Sequence, residues 1–139
     1  MKTVKLLSAS LAILFIGIFL TSMTIDQQKI PEPWEVPAKY KNMENPVPAT
    51  DESLQLGERL YRKHCASCHG REGLGDGPKA RTLETFSGDF SGEAFQSQTD
   101  GVLFYKTKYG RGEMPAYEKK LTDEDMWHIV NHMRTFAKE

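Results

Sequence analysis

The most constraining feature of the sequence is the segment Cys65-Ala66-Ser67-Cys68-His69, which holds both cysteines of the chain. Residues three apart lie on the same face of a helical turn, so the two thiols would point to one side. A histidine follows the second thiol directly. This C-x-x-C-H spacing is typical of a site where both thiols bond one porphyrin and the imidazole lies under its iron. The sequence therefore predicts one covalently attached haem c.

Three other uses of the two cysteines compete with this interpretation. A redox dithiol of the thioredoxin type requires a preceding strand within a βαβ pattern, whereas residues 54–61 have helical periodicity. A zinc site would have to include His128 and His132, but 59 residues separate Cys68 from His128, against a usual gap of about 12–15. A disulfide would close only a very short loop. The haem prediction is the one that uses the histidine at its observed position.

Residues 1–25 have the form of a targeting segment. Lys2 and Lys5 give a positive start, and residues 6–25 carry no charge. A secretory signal peptide has this form, although no Ala-x-Ala cleavage site follows the apolar core. The uncharged stretch is about as long as a membrane-spanning helix needs to be. We predict a signal peptide or, preferably, an uncleaved anchor that leaves the N-terminus in the cytoplasm and the rest of the chain exported.

Residues 26–52 contain five of the seven prolines. Proline removes a backbone donor and fixes φ, so this stretch is predicted to be an extended or irregular linker without helix. The simple interpretation is a stiff tether. An alternative is that Trp34 and Val36 pack onto the surface of the following domain.

Residues 53–139 are predicted to form one all-α domain. This part carries 13 Lys or Arg and 13 Asp or Glu, so nothing in its charge suggests nucleic acid. A first helix over residues 53–66 contains Gly57, and a glycine inside a helix costs about 1 kcal/mol relative to alanine. Gly57 therefore indicates a close crossing with another helix.

The last helix has the clearest signals. Thr122 and Asp125 form a capping-box pattern at its start, and an apolar stripe recurs at helical spacing: Met126, Ile129, Val130, Met133 and Phe136. His128 and His132 fall off this stripe and are expected to be solvent-exposed. Between the two helices, residues 73–78 are predicted to be a glycine loop. Residues 79–96 are predicted to be loop and short helix over a haem edge, and Thr99 and Gly110 are predicted to bound a further helix.

Met114 is the favoured second ligand of the iron. It stands in a loop set by glycines and by Pro115, which fixes the backbone beside it. Met126 and Met133 belong to the helical stripe, where methionine usually fills the core. A bis-histidine haem, with His64, His128 or His132 as the second ligand, and an open sixth position stay as alternatives.

The domain resembles a class I cytochrome c of the short bacterial monohaem type. The resemblance covers residues 53–139 and depends on Cys65-Ala66-Ser67-Cys68-His69, Gly73-x-Gly75-Asp76-Gly77-Pro78, Gly112-Glu113-Met114-Pro115-Ala116-Tyr117, Gly57, Tyr61 and Trp127. It implies a small fold in which the N- and C-terminal helices cross and long loops surround one haem. It also implies that Trp127 is the aromatic residue of the last helix, which crosses the first, and that Pro78 offers its carbonyl to the ring N–H of His69.

The resemblance implies an electron carrier rather than an enzyme, working on the periplasmic face of the membrane. Its redox partners would be proteins such as a quinol-oxidising complex, a dehydrogenase or a terminal oxidase. A fixed cytochrome subunit of a larger membrane oxidoreductase is the second expectation. A haem peroxidase or gas sensor is the third, and it would need an open iron site in place of Met114.

Overall fold

The computed structural model describes residues 28–138, and the predicted signal or anchor at residues 1–25 lies outside them. The described part is all-α, with no strand longer than an isolated bridge, and no helix in it is long and apolar enough to cross a membrane. Its helices are α1 (Ala38–Lys41), α2 (Asp51–His64), α3 (Ala66–His69), α4 (Glu93–Gln96), α5 (Asp100–Tyr109) and α6 (Asp123–Arg134), with a 3₁₀ turn at Ala80–Thr82. The prediction of an all-α fold is confirmed.

Helices α2 and α6 cross at Gly57, as the sequence predicts. A Cβ on Gly57 would overlap the backbone carbonyl of His128 and lie 2.9 Å from the Cβ of His132. Only glycine permits so close an approach of the two backbones. Trp127 lies on α6, the helix that crosses α2, as the resemblance implies, and its ring stacks on Phe104 of α5 at 4.1 Å.

The apolar stripe of α6 forms the centre of the core. Met126, Ile129, Val130 and Met133 are buried, and the Thr122–Asp125 capping box begins the helix. The prediction that His128 and His132 face solvent is wrong. His128 Nδ1 lies 2.8 Å from the hydroxyl of Ser53, and the ring of His132 packs 5.4 Å from that of Tyr61. The reason is that α6 packs against both α2 and α5, so its buried face is wider than one stripe.

The linker packs onto the domain instead of standing off it. Val36 and Tyr40 are buried members of the core. A Cβ on Gly101 in α5 would overlap the carbonyl of Tyr40, so α1 and α5 are in close contact. The prediction that the linker contains no helix is wrong for Ala38–Lys41, which begins directly after Pro37. Proline is tolerated there because the first helical turn needs no donor from it.

Candidate haem site

The C-x-x-C-H segment forms a short helix that continues from α2. Cys65 ends α2, its N–H bonding the carbonyl of Tyr61 at 2.8 Å, and α3 carries Cys68 and His69. Both cysteines and His69 line one cavity of about 1310 Å³. The thiols form no disulfide, and residues 28–138 contain no cluster of three or more side chains placed to hold a metal ion. The zinc and disulfide alternatives therefore have no support in the described structure.

The glycine loop after α3 satisfies the carbonyls at the end of that helix. The N–H groups of Gly75 and Gly77 bond the carbonyls of His69 and Cys68, at 2.8 and 3.2 Å. A Cβ on Gly77 would come within 2.6 Å of two backbone carbonyls of α3, so the loop can lie this close only with glycine there. The hydroxyl of buried Tyr61 donates to the carbonyl of Gly70 at 2.9 Å and ties the loop to α2. Burial raises the pKa of Tyr61, so the hydroxyl stays a donor.

His69 is fixed on both sides. Its Nδ1 lies 2.8 Å from the carbonyl oxygen of Ser87, and the ring of Phe90 packs 4.6 Å away. Because a carbonyl only accepts, Nδ1 carries the proton in this arrangement and Nε2 is left with a lone pair. Burial also lowers the pKa of His69, which favours the neutral ring that binds a metal. The imidazole is therefore prepared as a ligand through Nε2.

Pro78 does not take the place that the resemblance gave it. The carbonyl that meets His69 belongs to Ser87, and Pro78 is exposed outside the cavity. The N–H of Lys79 bonds the carbonyl of Ser67 at 2.8 Å, and Gly77 packs on α3 from the same side. In this structure the hydrogen-bond partner of the His69 ring is therefore Ser87 rather than Pro78.

Met114 lines the same cavity from a loop on another wall. Two backbone hydrogen bonds of 2.9 and 3.0 Å join it to Arg111, and Gly110 before them adopts φ +59°. Tyr117 follows the loop, and its hydroxyl donates to the carbonyl of His64 at 2.6 Å. Burial raises the pKa of Tyr117 to about 12, so this donor is kept over the ordinary pH range.

Of the other candidate ligands, only some line the cavity. His64 and Met133 line it, whereas His128, His132 and Met126 do not. A bis-histidine haem using the two histidines of α6 therefore has no support in this geometry.

Several cavity residues could not be found from the sequence. Ser87 has no local motif, because the chain must fold back before its carbonyl can meet His69. The linker contributes residues 31–34 to the lining. The neutral charge of the domain also conceals a local bias, since the cavity lining has three acidic residues and five cationic ones: Lys63, Lys79, Lys106, Arg111 and Lys120. Nothing in a linear pattern indicates that these cations come together.

The residues present fit a haem. The cavity exceeds the usual range of about 300–1,000 Å³ for small-molecule sites, as a porphyrin requires. Two thiols and a prepared imidazole lie on its wall. The hydroxyl of Ser87 is buried without a hydrogen-bond partner among the described residues, although Ser87 also lines the cavity. An unpartnered buried hydroxyl indicates a missing polar partner, and a haem carries carboxylates that can accept from it.

The fold and this cavity define a class, the c-type cytochrome domain: a small helical unit built around one covalently attached haem. Within that class, a family model described as "Cytochrome C oxidase, cbb3-type, subunit III" matches residues 52–133, more than half of the chain. The chain belongs to this family, and the cofactor of the domain is haem c. It is a haem c electron-transfer domain.

Several known proteins are similar to this chain. Quinohemoprotein alcohol dehydrogenase ADH IIB of Pseudomonas putida is 36% identical over 103 residues, which cover 73% of this chain and 14% of that protein. Cytochrome c-553 of Desulfomicrobium norvegicum is 33% identical, over 60% of this chain and all of that protein. Cytochrome c6 of Parathermosynechococcus lividus is 25% identical, over 58% and 86%. The chain thus spans a small part of the dehydrogenase and most of the small cytochromes.

Two solved structures share the fold. The reducing HAO-like protein complex of Kuenenia stuttgartiensis matches with a TM-score of 0.60 and 24% identity, over 78% of this chain and 51% of that chain. The c-type cytochrome KustC0563 matches with a TM-score of 0.53 and 28% identity, over 59% of this chain and 98% of that chain. The predicted cytochrome c fold is confirmed.

Proposed function

We propose that this chain is an exported one-haem electron carrier. In this proposal Cys65 and Cys68 would hold the haem through thioethers, and His69 and Met114 would bind its iron. The observation that carries the proposal is that all four side chains line one cavity, although Met114 is 45 residues away from His69 along the chain. When bound, the haem supplies one-electron chemistry between ferric and ferrous iron.

The chain's own residues set the conditions for that chemistry. The carbonyl of Ser87 and the ring of Phe90 hold the imidazole of His69 in one orientation. A hydrogen bond on the second ring nitrogen raises the basicity of the first. A thioether paired with a histidine raises the haem potential. With His69 and Met114 both bound to the iron, no position would be left for a substrate, which favours electron transfer over peroxidase or gas-sensor activity.

Met114 is preferred to the other two candidate ligands in the cavity because of their positions. The carbonyls of Met133 and Phe90 accept hydrogen bonds from the same amide, that of Gln96, at 3.0 and 2.7 Å. The backbone of Met133 therefore lies close to that of Phe90, whose ring packs on His69. His64 directly precedes Cys65, so it too lies next to the attachment segment. Met114 alone comes from a separate loop.

The partners are redox proteins, and we place them outside the cytoplasmic membrane. Export is supported by Lys2, Lys5 and the uncharged residues 6–25. Anchoring through that segment would keep the domain near a quinol-oxidising complex, a dehydrogenase or a terminal oxidase. A fixed cytochrome subunit is the second candidate function, favoured by the similarity to one part of a quinohemoprotein alcohol dehydrogenase.

The experiment that tests the ligand assignment is Met114→Ala, with Met133→Leu as the matched control. The wild-type ferric protein should show the weak far-red absorption band of a sulfur–iron bond. Met114→Ala should abolish this band and open the iron to carbon monoxide in the ferrous state, while the haem stays covalently attached after denaturation. Met133→Leu should change neither property. An unchanged band in Met114→Ala would exclude Met114 as the ligand, and an open site in the wild type would favour the sensor or peroxidase alternative.

A further inference from the structure

Residues 31–34 line the edge of the cavity, and we call them, together with residues 28–30 before them, the strap. The amide of Gln28 donates to the carbonyls of Ala80 and Leu83, at 2.6 and 3.0 Å. Lys29 pairs with the 84–86 segment through two backbone hydrogen bonds of 3.0 and 3.1 Å. The strap is therefore fastened to the domain by its own first residues.

Arg111 joins the strap to the loop that carries Met114. Its guanidinium donates to the carbonyls of Glu32 and Pro33, at 2.7 and 3.0 Å, and lies 4.4 Å from the centre of the Trp34 ring. A planar guanidinium can make two such bonds and stack at the same time. The backbone of Arg111 is in turn paired with that of Met114.

Glu113 makes the second attachment of the same loop. Its carboxylate accepts the N–H groups of Glu84 and Thr85, at 3.2 and 3.1 Å. These two residues belong to the segment with which Lys29 pairs. The strap and the 84–86 segment are thus hydrogen-bonded to each other. Each is also bonded to a side chain that precedes Met114 in the loop, the strap to Arg111 and the 84–86 segment to Glu113.

Apart from these contacts, the loop is held by its own Arg111–Met114 backbone pairing and by the hydrogen bonds of Tyr117 just after it. From residue 111 to residue 116, every side chain except that of Met114 is exposed. Segments with few buried apolar contacts open at low free-energy cost. Contacts made by Arg111 and Glu113 are therefore a large share of what keeps the loop closed.

From these contacts we infer that the strap holds the Met114 loop against the cavity and that Arg111 is a positioning residue for Met114. This inference rests on the proposed ligation of the iron by Met114. Arg111 would not bind the iron itself. It acts by keeping the Met114 loop closed against the cavity. The strap therefore contributes to the redox site, although it lies outside the matched family region of residues 52–133.

The test measures how often the loop opens, with imidazole as a probe that replaces the Met114 sulfur on ferric iron. At saturating imidazole the binding rate is limited by release of the thioether. For the full-length holoprotein with Arg111→Ala we expect this rate to rise about tenfold, which corresponds to about 1.4 kcal/mol. Arg111→Lys, which keeps the charge but loses the double hydrogen bond, should give a smaller rise. Trp34→Ala should act in the same direction, and its effect should not add fully to that of Arg111→Ala because both remove one contact.

Arg59→Ala is the matched control, since Arg59 is an exposed arginine on α2 whose side chain makes no hydrogen bond among the described residues. It should leave the imidazole rate unchanged. If Arg111→Ala reacts at the wild-type rate while the wild type has its far-red band, this inference is overturned and the ligand assignment stands. If the wild type has no such band, the ligand assignment fails first and the positioning role fails with it.

Discussion

The two walls of the haem cavity are built in different ways. We call the wall that carries Cys65, Cys68 and His69 the histidine wall, and the loop of residues 111–116 that carries Met114 the methionine wall. The histidine wall continues from α2, which is packed against α6 at Gly57, and the His69 ring is held by the Ser87 carbonyl and the Phe90 ring. The methionine wall is a loop whose side chains, apart from Met114, face solvent. It is held by polar contacts of Arg111, Glu113 and Tyr117 with distant parts of the chain.

The difference implies two levels of stability in one site. The histidine wall can separate only when the crossing of α2 and α6 is lost, which is global unfolding. The methionine wall can open locally, because its contacts are few and exposed. Changes at the crossing should therefore alter the unfolding of the whole domain, whereas changes in the loop should mainly alter the iron–sulfur bond.

The largest effect is expected for Gly57→Ala. In an exposed helix this substitution would stabilise by about 1 kcal/mol, but here the added Cβ would overlap the His128 carbonyl, which belongs to the backbone and cannot turn away. We expect a loss of about 2–3 kcal/mol in the free energy of unfolding, as for overpacked cores. Denaturant titration of the holoprotein measures it.

Gly92→Ala is the control for that substitution. A Cβ there would find its nearest neighbour at 3.8 Å, which is an ordinary contact. We expect a change within about 0.5 kcal/mol. If both alanine variants were equally stable, the α2–α6 crossing would not be as tight as described.

A smaller effect is expected where the two walls meet. Tyr117→Phe removes the hydroxyl that donates to the His64 carbonyl at the end of α2 and leaves the ring in place. We expect a loss of about 1–1.5 kcal/mol in unfolding free energy, the usual contribution of one hydrogen bond. The imidazole rate at the iron should also rise, because the loop loses an attachment. A rise in that rate with no loss of stability would mean that the hydroxyl serves the methionine wall alone.

The smallest effect is a pH dependence at the crossing. Burial lowers the pKa of His132, and Glu58 on α2 opposes the shift only in part. The unfolded state then binds a proton more readily, so this contribution to stability is present above pH ~6.5 and is lost as pH falls toward the folded pKa. His132→Phe, which keeps an aromatic ring beside Tyr61 and Phe136, should lose less stability between pH 7 and 5 than the wild type. Equal losses in unfolding titrations would show that His132 does not titrate differently in the two states.

Much of the histidine wall could be predicted from the sequence. Gly57, the C-x-x-C-H segment, the glycine loop and the Thr122 capping box each act over a few residues, so their patterns are local. His128 and His132 were mispredicted because the width of a buried helix face depends on how many elements pack on it. The helix at Ala38–Lys41 was missed because a high proline content over 27 residues conceals a short turn that contains none.

By itself the sequence determined the cofactor, the all-α class and the loop position of Met114, because covalent chemistry and helix signals depend on neighbouring residues. Only the tertiary structure decided which carbonyl orients His69, since Ser87 is 18 residues away and competes with Pro78 through the path of the loop between them. Tertiary structure also decided that residues 31–34 of the strap border the haem cavity. No sequence pattern links the strap to Arg111, because nearly 80 residues separate them. Only folding brings the Arg111 guanidinium within hydrogen-bond distance of the carbonyls of Glu32 and Pro33.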